Sequence, residues 1–95
     1  MDKMNLLTTF FFAIQDDGRI STTHIAVYSA LLQFWITSGQ QNPVRAFSHQ
    51  IMEIAKVSAP MTYRKCLKDL SDFGYLRYVP SYKRNRPSEI YLTDL

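Results

Sequence analysis

The chain carries one cysteine, three glycines and four prolines in 95 residues. No apolar run approaches the ~20 residues that a membrane helix needs, so no membrane partner is expected. Cys66 has no partner for an internal disulfide, which excludes the disulfide-stapled class of small secreted domains and predicts an intracellular, cytoplasmic chain. The glycines, Gly18, Gly39 and Gly74, are too far apart to form a phosphate-cradling loop. His24 and His49 have no Cys, Asp or Glu at ligand spacing, so neither a metal nor a cofactor is expected. Periodicity brings together no Ser/His/Asp set and no carboxylate pair, and the chain is not expected to be an enzyme. At 11.1 kDa there is room for one domain only.

What is present is a core and an uneven charge. Apolar residues make up 46% and aromatics 14%, too much for a disordered chain. The net charge of +3 is concentrated in the second half: residues 1–44 sum to −1 and residues 45–95 to +4. An anionic partner, if there is one, is therefore expected on the second half. Leu6 to Ile14 is apolar apart from Thr8 and Thr9, but it has a thin basic end and no small-residue cleavage pattern. It reads as a helix rather than a signal peptide.

Leu6, Phe10 and Ile14 recur at helical spacing in this first segment, about Asn5 to Gln15, and Asp16-Asp17-Gly18 stops it. The second helix is capped by Ser21 or Thr22 and stopped by Gly39. Its apolar arc, with Ile25, Tyr28, Leu31, Leu32 and Trp35 on one face, is wide enough to be covered on several sides. Val44 to Phe47 allows a short strand. Ser48 is a candidate cap for a short helix with Ile51, Ile54 and Ala55 inward, and Lys56-Val57-Ser58 turns the chain. Ser58 is then a candidate cap for a helix with Pro60 in its first turn, a buried stripe of Tyr63, Cys66, Leu67, Leu70 and Phe73, and a stop at Gly74. Tyr75 to Val79 and Glu89 to Thr93 read as strands, joined by the polar, basic stretch Pro80 to Ser88.

A short helix, a turn and a glycine-stopped helix make a helix-turn-helix. The stretch from Lys56 to Leu70, followed by Phe73-Gly74-Tyr75-Leu76, resembles the winged-helix pattern of bacterial transcriptional regulators. There a turn serine opens the recognition helix, which closes on Leu, two charged residues and Leu before a glycine leads into a hairpin wing. The chain resembles the replication-initiation domains of phages and mobile elements about as well. Two positions depart from the pattern: Lys56 stands where glycine is usual, and the segment from Ser58 to Leu70 is one residue longer than the commonest spacing.

The resemblance implies a mainly α fold with a small β-hairpin wing (α+β), a winged helix-turn-helix core over 21–95 and an extra N-terminal helix within 1–20. Its implied function is sequence-specific binding of double-stranded DNA, as a transcriptional regulator or in a mobile-element replication or excision system. With Tyr63, Cys66, Leu67 and Leu70 inward, 100° per residue places Met61, Lys65 and Lys68 on the outer face, flanked by Arg64 and Thr62. Such a helix fits the major groove, so Thr62, Arg64, Lys65 and Lys68 are candidate DNA contacts. Tyr82, Lys83, Arg84 and Arg86 are candidate wing contacts to phosphate or a narrow minor groove. The rival is a winged helix used for protein interaction, since Asp69 and Asp72 leave the helix only a modest positive balance. Cys66 reads as a small core thiol. The apolar excess of Leu6, Leu7, Phe10, Phe11, Phe12 and Ile14 predicts a homodimer formed through residues 4–36.

Overall fold

A computed structural model describes residues 3–95, with side chains described from residue 6 onward. The first two residues of the expected 1–20 extension lie outside the described residues. The element order is α1 (Lys3–Ile14), α2 (Thr22–Thr37), β1 (Val44–Ala46), α3 (Ser48–Ala55), α4 (Pro60–Asp72), β2 (Leu76–Val79) and β3 (Ser88–Leu92). Among the described residues the fold is α+β: four helices and one three-stranded antiparallel sheet in the order β1-β3-β2.

Helix α2 is the centre. Its N-terminus is closed reciprocally: the His24 amide donates to Ser21 Oγ at 3.4 Å, and the Ser21 amide donates to His24 Nδ1 at 2.9 Å. At the other end Gly39, at φ +96°, lets the Gln40 amide reach the Trp35 carbonyl at 2.8 Å. Between these caps Val27, Tyr28, Ala30, Leu31, Leu32 and Trp35 are buried, and α1, α3, α4 and β1 all pack on the helix.

Helix α1 contributes Leu6, Phe10 and Ile14 to the same core. The Phe10 ring lies parallel to Tyr28 at 3.8 Å between centroids and meets Tyr75 edge-on at 5.6 Å. Phe11 and Phe12, on the opposite side, are 47% and 72% exposed. The connector to α2 is pinned to the far end of α4. Arg19 makes a two-bond pair with Asp17, at 2.8 Å for each bond, and its guanidinium lies 4.0 Å over the Phe73 ring, while the Tyr75 hydroxyl donates to Asp17.

Both expected serine caps are corrected. Ser48 is the first residue inside α3; Phe47 holds the cap position, and the Gln50 side chain accepts the Phe47 amide at 2.9 Å instead. Ser58 lies outside α4, whose cap position is Ala59, which has no side-chain acceptor. Pro60 at the first helical position removes one of the amides a cap would have satisfied. Helix α3 turns Ile54 outward, not inward, and packs Ile51 fully with Met52 and Ala55 in part. The turn between the helices passes through Lys56 at φ +61°, a left-handed conformation that glycine adopts at no steric cost.

Helix α4 buries Tyr63, Cys66, Leu67 and Leu70, with Phe73 half-buried under Arg19. Gly74, at φ +90°, ends it, and the Tyr75 amide returns to the Leu70 carbonyl at 2.9 Å. Tyr78 and Val44 flank Ile90 across the sheet, and Leu76 faces Leu92. This register puts Ile90 and Leu92 into the core. Among the described residues no helix is long and apolar enough to cross a membrane.

Candidate functional site

The two flanks of α4 meet different neighbours, and this sorts its polar residues. On one flank Ser71 Oγ accepts the Tyr78 amide of β2 at 3.1 Å. Arg64, seven residues earlier, lies two turns up the same flank and so beside the hairpin. On the other flank Asp69 accepts a hydrogen bond from His24 Nε2 at 2.9 Å and pairs with Lys65 at 3.2 Å. Because the Ser21 amide donates to Nδ1 of His24, that nitrogen is the acceptor and Nε2 carries the proton given to Asp69. The His24 bond, followed by Lys65, holds the Asp69 carboxyl below its ordinary range.

Between the hairpin and α4 lies a groove of about 300 Å³. Arg64 enters it from α4, and Lys83, Arg84 and Arg86 from the 80–87 loop. The loop is tightened at its tip, where the Arg86 amide donates to the Lys83 carbonyl at 3.2 Å and the Lys83 amide to Ser81 Oγ at 3.3 Å. The three loop cations therefore share one turn. Among the described residues none of the four groove cations has a salt-bridge partner, and no carboxylate lines the groove. Ser81, Ser88 and the rings of Tyr78 and Tyr82 line its sides, and the start of α3, Phe47 and Ser48, completes it. Tyr82 is 95% exposed.

Of the sequence-derived candidates, the groove brings together Arg64, Tyr82, Lys83, Arg84 and Arg86. Thr62, Lys65 and Lys68 are exposed on α4 but line no part of it, and Lys65 is engaged by Asp69. Met61 is 81% exposed at the start of the same helix. Sequence reasoning missed Ser48, Ser88 and above all Tyr63. Helical periodicity assigns Tyr63 to the core, and it is indeed only 3% exposed, yet it also lines the groove. The available signal was the residue type, a hydroxyl-bearing ring at a position where phenylalanine would pack as well. Burial pushes the Tyr63 hydroxyl well above the ordinary tyrosine range, so it is a donor at neutral pH.

Among the described residues no three His, Cys, Asp or Glu side chains converge where a metal ion could sit. Cys66 is buried, and burial pushes its thiol upward, away from the reactive thiolate. In comparisons with known proteins no family model, no curated protein and no solved structure matches this chain.

Proposed function

We propose that this chain is a winged-helix domain that binds double-stranded DNA sequence-specifically and serves as a transcriptional regulator. The observation that carries the reading is the groove in which α4 and the 80–87 loop present Arg64, Lys83, Arg84 and Arg86 with no carboxylate among them. Cations held together without counter-charges repel one another and are stabilised by a polyanion laid across them. In this reading α4 enters the major groove, leading with Met61, Thr62 and Arg64, while Lys65 stays paired with Asp69, and the loop rides on backbone phosphate or in the minor groove. Met61 offers an apolar contact to thymine methyl, and Arg64 a two-bond contact to guanine. Asp69 does not oppose DNA, because His24 and Lys65 already occupy it.

A second copy completes the proposal. Phe12 projects beside a shallow hollow of about 300 Å³ lined by Thr8, Phe11, Phe12 and Gln15, an uncharged face on which knob and hole belong to the same helix. A two-fold axis beside α1 would bring this face of one copy against the same face of the other.

The test is an electrophoretic shift with one selected duplex against scrambled duplex at two salt concentrations. Changing Lys83, Arg84 and Arg86 together to Ala is expected to weaken both duplexes alike. It should also flatten log affinity against log salt by up to ~0.9 per lost phosphate contact. Arg64→Ala is expected to erode the preference between duplexes, by roughly 1–3 kcal/mol if a guanine is read. Binding unchanged in both variants would overturn the DNA reading in favour of a protein-interaction module.

A further inference from the structure

The α3 end of the groove is built differently from its basic rim. Helix α3 begins there with no side-chain cap: Phe47 has no acceptor to offer, and the Gln50 side chain serves only the Phe47 amide. Among the described residues the Ser48 and His49 amides have no hydrogen-bond partner, and the Gln50 amide is spent on the Phe47 carbonyl. Uncapped amides at a helix start carry partial positive charge and favour an anion.

A second, independent observation lies on the facing helix. Tyr63 is buried, lines the groove, and its hydroxyl has no hydrogen-bond partner among the described residues. The Tyr28 hydroxyl also lacks a partner but is sealed from solvent; that of Tyr63 is not among the sealed atoms. A donor left unpaired in an otherwise buried ring, on the wall of a basic groove, is what an anion's oxygen atom would satisfy. Arg64 stands one residue along the same helix and lines the same groove.

We infer that the groove contains a seat for one phosphate group, with the Tyr63 hydroxyl, the first amides of α3 and the Arg64 guanidinium as its direct ligands. The inference rests on the DNA-binding reading for its occupant in the complex, a backbone phosphate. Without DNA the same seat is open to inorganic phosphate or a small phosphate ester, which then competes with the duplex. The loop cations draw the anion in. Tyr63 and the helix start distinguish a seated phosphate from diffuse charge, because they act at hydrogen-bond range only.

The experiment is an amide-resolved NMR titration of the full chain with inorganic phosphate at constant ionic strength, with chloride as the control. It is paired with duplex affinities for wild type and two variants. Tyr63→Phe keeps the ring and removes the donor. Ser48→Pro removes the first amide at the helical position that tolerates proline, and Phe47 is already extended, at φ −78° and ψ 150°, as the residue before proline must be. Saturable shifts of the Ser48 and His49 amides by phosphate and not by chloride are expected. Each variant should bind phosphate about tenfold more weakly, with the melting temperature of Tyr63→Phe unchanged or raised. Phosphate affinity unchanged in both variants, or shifts no larger than chloride gives, would overturn the seat. The sources separate by outcome. Phosphate seated without any duplex binding upholds the seat and removes the DNA reading. Duplex binding without a phosphate response removes the seat and keeps the DNA reading.

Discussion

Asp17 shows how a few side chains can tie together segments far apart in sequence. It accepts three bonds from Arg19, two from the guanidinium and one from the backbone amide, and one from the Tyr75 hydroxyl, closing the α1–α2 connector onto the end of α4. The Arg19 bonds first, and the Tyr75 bond after them, hold its carboxyl far below the ordinary value of 3.8. A carboxyl depressed on folding contributes stability that is whole above its unfolded value and is lost as pH falls through the folded one. Asp69, lowered by His24 and Lys65, acts in the same direction. Denaturant midpoints measured from neutral pH downward should therefore fall below about pH 4. Asp17→Asn should lower the midpoint at neutral pH and fall less steeply in acid, so that the two curves converge. Parallel curves would show that the clasp contributes nothing. Cys66 makes the contrasting case, a group whose burial keeps it neutral. Cys66→Ser should cost about 1–3 kcal/mol by burying a hydroxyl without a partner, while duplex affinity of the folded protein is unchanged. Loss of binding on mild oxidation, prevented by that substitution, would instead make the thiol a switch.

Among the elements, the α3–α4 turn is the one whose sequence is least suited to its geometry. Lys56 sits at φ +61° and ψ 37°, where a side chain crowds the following carbonyl. Lys56→Gly should raise stability by roughly 0.5–1 kcal/mol in thermal or urea unfolding, the relief of strain exceeding the entropy that glycine adds to the unfolded chain. A destabilised variant would mean that the lysine side chain is held by contacts that outweigh the strain. That turn also marks where reading the sequence succeeds and where it stops. The helices are legible because their apolar residues recur at 3.6, and Gly39 and Gly74 end two of them because their positive φ suits no other residue as well. Serine position does not locate the starts of α3 and α4, because a serine near a helix start is only one way to satisfy free amides; Gln50 and Pro60 supply others. The clasp of Asp17 on Tyr75 and the bond from His24 to Asp69 link residues 58 and 45 positions apart, and local periodicity carries no record of such pairs. The candidate site was legible as a set of cations. Which of them share a groove was not, because Arg64 and Lys65 differ only in the neighbour that each flank of α4 meets.

At the scale of the whole molecule, the surface left over is as informative as the core. Of the apolar residues in α1, Leu6, Phe10 and Ile14 are consumed by packing within the chain, and Phe11 and Phe12 are left outside. Two phenylalanines and a shallow hollow provide far less than the roughly 800 Å² per partner of a standard stable interface. A dimer formed on this face alone is therefore weak and concentration-dependent. In the proposed DNA complex, two half-sites one helical turn apart, roughly 34–36 Å, would hold two copies side by side and strengthen such a pair. Sedimentation equilibrium at roughly tens of micromolar, the range of a modest interface, should give an average mass above 11.1 kDa that falls on dilution. Phe12→Glu should return the chain to the single-copy mass with stability changed by no more than about 0.5 kcal/mol, as expected where the side chain is exposed in the lone copy. On a duplex with two half-sites one turn apart, wild type should bind cooperatively and Phe12→Glu independently. A single-copy mass throughout, together with independent binding by wild type, would mean that α1 covers the core of its own chain and recruits no second copy.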